Sequence, residues 1–286
     1  MADLEDRVLL EACAAEARRS SRSLCETEPA TGENCAWYHG FWPTLRLLNL
    51  VTTPNTHGAF YTRTLGALAR DGHKRVLISG SADISMLQRI YAAFDAADAT
   101  PEITFVDRCP TPVALAEWYA ERTGRNIETQ CCDILEFTGV RFDIVCTHSF
   151  MGYFNDEARQ RLARKWANAL MPGGKVVTIN RVRPNASGVV TFTPAQKRKF
   201  VEHARTMAIQ RGLDAPEIAD AAATYAKKFR IRPVTSRSAL DRFFTDNGFR
   251  VDRMETEPVA DAEAPEETGP TTPGGATYVQ MVATRI

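Results

Sequence analysis

Apolar positions along this chain switch between two patterns, and the switches mark an alternation of strands and helices. Short runs rich in β-branched residues, such as 76–78, 103–106 and 142–146, have the composition of buried parallel strands. Between the first two runs, apolar residues recur at helical spacing, at Met86, Leu87, Ile90, Tyr91 and Phe94. A repeated strand and helix order predicts an α/β fold, a doubly wound sheet that is mostly parallel.

The pattern predicts seven strands, arranged as five strand–helix repeats and a closing pair. The later strands are expected near 127–133, 175–179, 249–254 and 277–284, and an acidic, Pro- and Gly-rich loop over 255–275. Residues 1–72 predict an N-terminal helical cap, and 73–286 the sheet domain. Residues 185–235 predict a helical insertion after the fifth strand, which would form a lid.

Composition narrows the class of protein without naming a function. The 286 residues include 35 basic and 35 acidic side chains, so the formal net charge is zero and does not favour a nucleic-acid partner. The seven cysteines are odd in number and lack paired spacing, which argues against a disulfide framework or a zinc site. Acidic residues open the chain, and no apolar run is long enough to span a membrane. These features predict a cytoplasmic protein without a metal.

The turn after the first predicted strand has the chemistry of a nucleoside site. Small residues occupy 79–82, where a strand meets a helix, and Asp107 ends the second strand. A turn without bulky side chains lets a ligand approach the backbone, and a carboxylate at a strand tip can accept hydrogen bonds from ribose hydroxyls.

This unit resembles the first motifs of class I S-adenosylmethionine (SAM)-dependent methyltransferases of the small-molecule type. The turn Ser79-Gly80-Ser81-Ala82-Asp83 keeps one of the family's glycines and lacks the acid that precedes them. Phe142-Asp-Ile-Val resembles the family's fourth strand, and Leu170-Met-Pro-Gly-Gly its entry to the fifth. The resemblance covers about 74–286, apart from the insertion, and it implies an antiparallel seventh strand near the sheet edge.

The resemblance implies SAM as cofactor and assigns contacts to residues at the strand tips. Asp107 would bind the ribose, Asp133 the adenine amino group, and Ile134 would cover the adenine ring. The full set of implied cofactor contacts is Ser79, Gly80, Ser81, Asp83, Asp107, Arg108, Asp133, Ile134, Thr147, His148 and Ser149.

Catalytic and substrate-binding residues are predicted from position and residue type. His148 follows the fourth strand and is the candidate general base, because imidazole titrates near neutral pH; Tyr153, His39 and His57 are weaker alternatives. Arg181 and Arg183 are suited to a carboxylate or phosphate of the substrate. The other candidate substrate contacts are Trp37, Tyr38, Trp42, Tyr61, Arg63 and Phe150.

The predicted function is methyl transfer from SAM to a small molecule, at oxygen or nitrogen, giving S-adenosylhomocysteine. Two alternatives stay open at this point: an NAD(P)-dependent oxidoreductase, and a non-catalytic protein that keeps the fold for binding. The first turn lacks G-x-G-x-x-G spacing, which weighs against the oxidoreductase. The expected partner is a small-molecule substrate rather than nucleic acid or a membrane, and a homodimer is also open.

Overall fold

Seven strands pair into one sheet in a computed structural model of the chain, which describes residues 2–27, 32, 34–139, 141–257, 270 and 276–286. The strands are β1 (Arg75–Ser79), β2 (Glu102–Asp107), β3 (Ile127–Cys131), β4 (Phe142–His148), β5 (Leu170–Val182), β6 (Phe249–Glu257) and β7 (Thr277–Arg285). Their order is β3-β2-β1-β4-β5-β7-β6, and β7 runs antiparallel to both of its neighbours. The predicted α/β fold and its seven-stranded, mostly parallel sheet are confirmed.

Helices cover both faces of this sheet. They are α1 (Ala2–Leu24), α2 (Ala36–His39), α3 (Trp42–Leu47), α4 (Gly58–Arg70), α5 (Ser85–Asp95), α6 (Pro110–Thr123), α7 (Asp156–Ala169), α8 (Pro194–Gln210), α9 (Ala215–Lys228) and α10 (Arg237–Thr245). In β1, Val76 and Ile78 join the core under α4 to α6, whereas Leu77 joins the core under α7 and α10. Two buried faces explain the unbroken apolar strands. No helix among the described residues has the length and apolar character needed to cross a membrane.

A third apolar core joins the N-terminal segment to the predicted insertion. Phe41 and Leu45 in the N-terminal segment pack in one cluster with Phe200 of α8 and Tyr225 of α9. The helices α8 and α9 lie within residues 185–235, where the sequence predicted a helical insertion. Cap and insertion therefore meet each other, and the division of the chain into these units stays a prediction.

Element boundaries differ from the predicted ones where local hydrogen bonds end an element early. The helix α3 ends at Leu47, because Asn49 has a positive φ of 57° and Leu50 N donates back to Leu45 O. The strand β3 ends at Cys131, two residues before Asp133. Most of the predicted loop over 255–275 lies outside the described residues.

A buried ion pair connects the cap to the turn after β1. Arg46 of α3 lies 3.1 Å from the Asp83 carboxylate and donates a second hydrogen bond, of 2.6 Å, to Gln88 of α5. The other carboxylate oxygen of Asp83 accepts from Ser85 N at 2.8 Å. Both charged side chains are almost completely buried. A pair without access to water is costly to break, because removing one partner leaves the other charge buried alone.

We expect Arg46→Met to lower the free energy of unfolding by about 3–5 kcal/mol. The matched control is Arg161→Met, which removes an exposed pair with Glu136 and should cost less than about 1 kcal/mol. Urea denaturation of both variants measures the difference. Equal losses in the two variants would show that the buried pair does not hold the cap.

Candidate functional site

The described residues enclose a cavity of about 520 Å³ where the carboxyl ends of β1, β2 and β4 meet the cap and the insertion. The sheet contributes the turns after these strands, and the cap and insertion contribute mainly aromatic side chains. Open α/β sheets bind ligands at this edge, where parallel strands end together. The size fits a small organic ligand.

The turn after β1 contributes Gly80 and Ser81 to the cavity wall. Gly80 has a positive φ of 72°, and its N–H donates to Val106 O at 2.9 Å. A Cβ at Gly80 would overlap the ring of Phe150, so the glycine allows this ring to lie directly on the backbone. The sequence predicted that a ligand would use this space; in the structure the Phe150 ring uses it and becomes part of the cavity wall.

The acids after β2 and β3 lie on the wall of the same cavity. One oxygen of Asp107 accepts from Cys109 N at 2.9 Å, and one oxygen of Asp133 accepts from Leu135 N at 2.8 Å. These bonds fix each carboxylate, and the backbone of Ser81 also hydrogen-bonds to Asp107. Burial raises the pKa of Asp107, while the nearby His39 ring opposes the rise. Ile134 is buried beside Asp133 and also lines the cavity.

His148 ends β4, lines the cavity, and has one ring nitrogen within hydrogen-bond distance of a neighbour. Its Nδ1 lies 3.1 Å from the Tyr61 hydroxyl, which donates its proton to Thr147 O at 2.9 Å. Its Nε2 is buried and has no hydrogen-bond partner among the described residues. Burial, helped by the adjacent His57 ring, holds the pKa of His148 well below its usual value of 6.5. The imidazole is therefore neutral at physiological pH.

Ser149 gives the tip of β4 an unusual backbone. Its φ is 51°, in the left-handed region, and its N–H donates to Ile179 O at 2.8 Å. Its hydroxyl is buried on the cavity wall without a partner in the described part of the chain. Backbone strain and an unpaired buried hydroxyl at one residue are typical of functional sites.

Aromatic rings from three parts of the chain form the apolar wall of the cavity. Tyr38 and Tyr153 join hydroxyl to hydroxyl at 2.6 Å, and Tyr38 stacks on Tyr225 with ring centroids 6.2 Å apart. The predicted wall residues Trp37, Trp42 and Phe150 line the same cavity. Burial raises the pKa of Tyr153, so its phenol stays protonated and suits a hydrogen-bond donor rather than a base.

Cationic side chains outnumber acids around the cavity. Arg181 lies with its guanidinium 5.6 Å from the centre of the Tyr278 ring, and its Nε is buried without a partner in the described residues. Arg183 is buried and donates to Pro270 O at 2.8 Å. The cations that line the cavity are Arg108, Arg181, Arg183, Lys228 and Arg230, against the acids Asp107 and Asp133.

Six predicted site residues do not line the cavity: Ser79, Asp83, Thr147, Tyr61, Arg63 and the alternative base His57. The hydroxyl of Ser79 accepts from Trp166, and Thr147 donates to the Ser79 carbonyl, so both side chains are buried between elements. Asp83 is neutralised by Arg46. Tyr61 is buried behind His148, and Arg63 is exposed on α4. The predicted cofactor contacts of Ser79, Asp83 and Thr147 and the predicted substrate contacts of Tyr61 and Arg63 stay predictions, and all of these side chains except that of Arg63 have partners inside the protein.

Several cavity residues were not predicted. Phe192, Phe200, Tyr225 and Phe229 belong to the insertion, whose helical spacing did not show which face would meet the cap. The prediction that the chain has no metal site stays a prediction. The fold gathers Cys25, Cys35, His39 and Cys109, with all four ligand atoms within 4.8 Å of one another. The spacing Cys35-x-x-x-His39 was the available signal, because it places two ligands one helical turn apart.

Comparisons with known proteins agree with this geometry. Residues 89–174 match the family model described as a methyltransferase domain. No curated protein matches the sequence.

Solved structures show the same fold. Magnesium protoporphyrin IX methyltransferase from Synechocystis PCC 6803, with S-adenosylhomocysteine bound, is 11% identical with a TM-score of 0.50, covering 88% of this chain and 96% of that one. The pyocyanin biosynthetic protein PhzM is 16% identical, also with a TM-score of 0.50, covering 94% of this chain and 62% of that one. The chain therefore matches a methyltransferase domain over residues 89–174 and has the fold of the magnesium protoporphyrin IX methyltransferase.

Proposed function

We propose that this enzyme transfers a methyl group from SAM to an oxygen or nitrogen of an anionic, aromatic small molecule. The observation that carries the proposal is a single cavity that holds Asp107, Asp133 and the unpartnered Nε2 of His148. Two acids at neighbouring strand tips suit the two ends of an adenosyl group, and a neutral imidazole beside them suits an acceptor that must lose a proton.

The residues present fit the cofactor. Asp107 lines the cavity and would bind the ribose hydroxyls, and Asp133 with Ile134 offers an acceptor and an apolar surface for adenine. Ser81 and the ring of Phe150 would lie against the remainder of the molecule. Ile78 stands where the family has its first acid, and its burial in the core means that the turn is held by packing instead.

SAM supplies an activated methyl group, and the residues of this chain have to align the acceptor and exclude water. Displacement at a methyl group needs the attacking atom in line with the breaking bond, so orientation contributes much of the rate. The aromatic wall formed by Tyr38, Trp42 and Tyr225 is rigid and largely shielded from water. A flat acceptor would pack between these rings with little freedom to turn.

His148 has the geometry of a general base. The Tyr61 hydroxyl lies 2.9 Å from Thr147 O and 3.1 Å from His148 Nδ1. We assign the ring proton to Nδ1, with the Tyr61 hydroxyl donating to Thr147 O, and this tautomer leaves Nε2 with a free lone pair. A hydroxyl or amine of the acceptor would deliver its proton to Nε2 as the methyl group is transferred. Tyr61 acts as a positioning residue that fixes this tautomer.

The charge around the cavity supports an acceptor with an anionic group. Arg181 is fixed over Tyr278 and keeps a buried, unpartnered Nε in the described structure. Arg183, Lys228 and Arg230 add positive charge on the side of the insertion. A carboxylate or phosphate is the group that arginine recognises most strongly.

The seven free thiols further support a cytoplasmic location.

Calorimetry followed by an activity screen tests the proposal as a whole. The protein should bind SAM and S-adenosylhomocysteine and should not bind NAD. Mass spectrometry should then detect a methylated product from a panel of phenolic and amino aromatic acids. Tight NAD binding without SAM binding would identify an oxidoreductase, and SAM binding without turnover of any acceptor would identify a binding protein.

Asp107→Ala should weaken SAM binding by about tenfold or more, because a charged hydrogen-bond partner contributes about 1–3 kcal/mol. Calorimetry gives the Kd of each variant. Glu102→Ala is the matched control, since Glu102 is an exposed acid at the opposite end of the same strand and should leave the Kd unchanged. An unaltered Kd in folded Asp107→Ala protein would remove Asp107 from the cofactor site.

His148→Ala should lower kcat by about 10²- to 10⁴-fold with SAM affinity close to that of the wild type. Because His148 has a lowered pKa, the neutral base persists in acid, and wild-type kcat should decline only well below pH 6.5. Stopped assays across pH measure both effects. A kcat in His148→Ala that matches the wild type at every pH would exclude the base.

Arg181→Met should raise the KM for an acidic acceptor by about tenfold or more, through loss of a charged hydrogen bond. The same variant should leave the KM for the corresponding neutral amide almost unchanged. Steady-state kinetics with such a matched pair isolates the anionic contact. A similar KM change for both acceptors would show that Arg181 shapes the cavity without recognising charge.

A further inference from the structure

Three cysteines and one histidine that are far apart in sequence meet beside the cavity. The Cys109 sulfur lies 3.7 Å from the Cys25 sulfur and 3.5 Å from the Cys35 sulfur. The Nδ1 atom of His39 lies 3.9 Å from the Cys25 sulfur. Cys25 and Cys109 are buried, and Cys35 and His39 are half-buried. The four side chains therefore point their ligand atoms at one common centre.

Three separate elements bring these atoms together. Cys25 follows α1, and Thr27 and Asn34, which lie between Cys25 and Cys35 in the sequence, form a β-bridge. Cys35 caps α2, and His39 ends the same helical turn. Cys109 precedes α6, two residues after Asp107. The four residues follow α1, belong to α2 or precede α6, so the tertiary structure brings them together.

The spacing of the atoms matches a tetrahedral zinc site. With metal–sulfur bonds of about 2.3 Å, the sulfur atoms of a tetrahedron lie about 3.8 Å apart, close to the separations found here. The same distances are far beyond the roughly 2.05 Å of a disulfide, and three thiols cannot pair without leaving one over. We infer that Cys25, Cys35, His39 and Cys109 bind one Zn²⁺ ion with four protein ligands.

A fully ligated zinc site is structural rather than catalytic, because no position is left for water or substrate. Here the ion would tie the cap, through Cys25, Cys35 and His39, to the tip of β2. Thr111 supports the arrangement, with its hydroxyl 3.2 Å from the Cys25 sulfur. Asp107 accepts a hydrogen bond from the backbone N–H of Cys109 at 2.9 Å. The site would therefore hold the ribose-binding acid and the aromatic wall in one rigid unit.

Metal analysis of the whole protein tests this inference without any assay of methyl transfer. Protein purified with reductant and without chelator should contain about one zinc per chain, as structural sites bind zinc tightly at neutral pH. Cys35→Ser and Cys109→Ser should lose at least about nine-tenths of that zinc. Cys131→Ser is the matched control, because Cys131 is exposed at the end of β3, beside β2, and does not belong to the cluster. It should keep the full zinc content.

Cobalt titration of metal-free wild-type protein covers the case in which a cysteine variant fails to fold. Co²⁺ should give a thiolate charge-transfer band and the visible bands of a tetrahedral site, and Zn²⁺ should displace it. Zinc-free protein that also gives no such bands would overturn the inference, as would a Cys25–Cys109 disulfide found by mass spectrometry. Zinc present in a protein that does not bind SAM would instead contradict the proposed function alone.

Discussion

The parallel register of β1 with β2 and β4 is the constraint on which the site depends. Ser79 pairs with Val106 and Ile78 with Cys146, so these three strands end at one edge of the sheet. Gly80, Asp107 and His148 each lie at such an end. Backbone pairing therefore brings together groups that are up to 68 residues apart, before any side chain contributes. A shift of one residue in either pairing would turn the neighbouring side chains to the opposite face of the sheet.

The cap and the insertion convert this open edge into an enclosed cavity. Their shared core places Tyr225 against Tyr38, and the buried pair of Arg46 and Asp83 fixes the cap to the turn after β1. An enclosed site has a low dielectric, which keeps His148 neutral and makes Arg181 more effective toward an anion. Shape, protonation state and charge selectivity thus have one origin, the exclusion of water by the two helical segments.

The sheet and the acids at its edge could be predicted from sequence because they follow from short local patterns. Apolar runs ending in an acid identify Asp107 and Asp133 without knowledge of the remaining chain, and both line the cavity. The roles of Asp83 and Tyr61 could not be predicted, since their partners Arg46 and His148 lie 37 and 87 residues away. The cysteine cluster was missed for the same reason, because Cys25 and Cys109 are separated by 84 residues. Side-chain partners fixed by tertiary structure leave little trace in local spacing.

A crystal structure of the enzyme with S-adenosylhomocysteine tests the central claim most directly. The ligand is expected in the cavity between the strand tips, with its ribose hydroxyls on Asp107 and its adenine amino group on Asp133. Its sulfur should lie on the side of the cavity that His148 faces. A ligand bound elsewhere, or bound in the cavity with the adenosyl group away from both acids, would contradict the account.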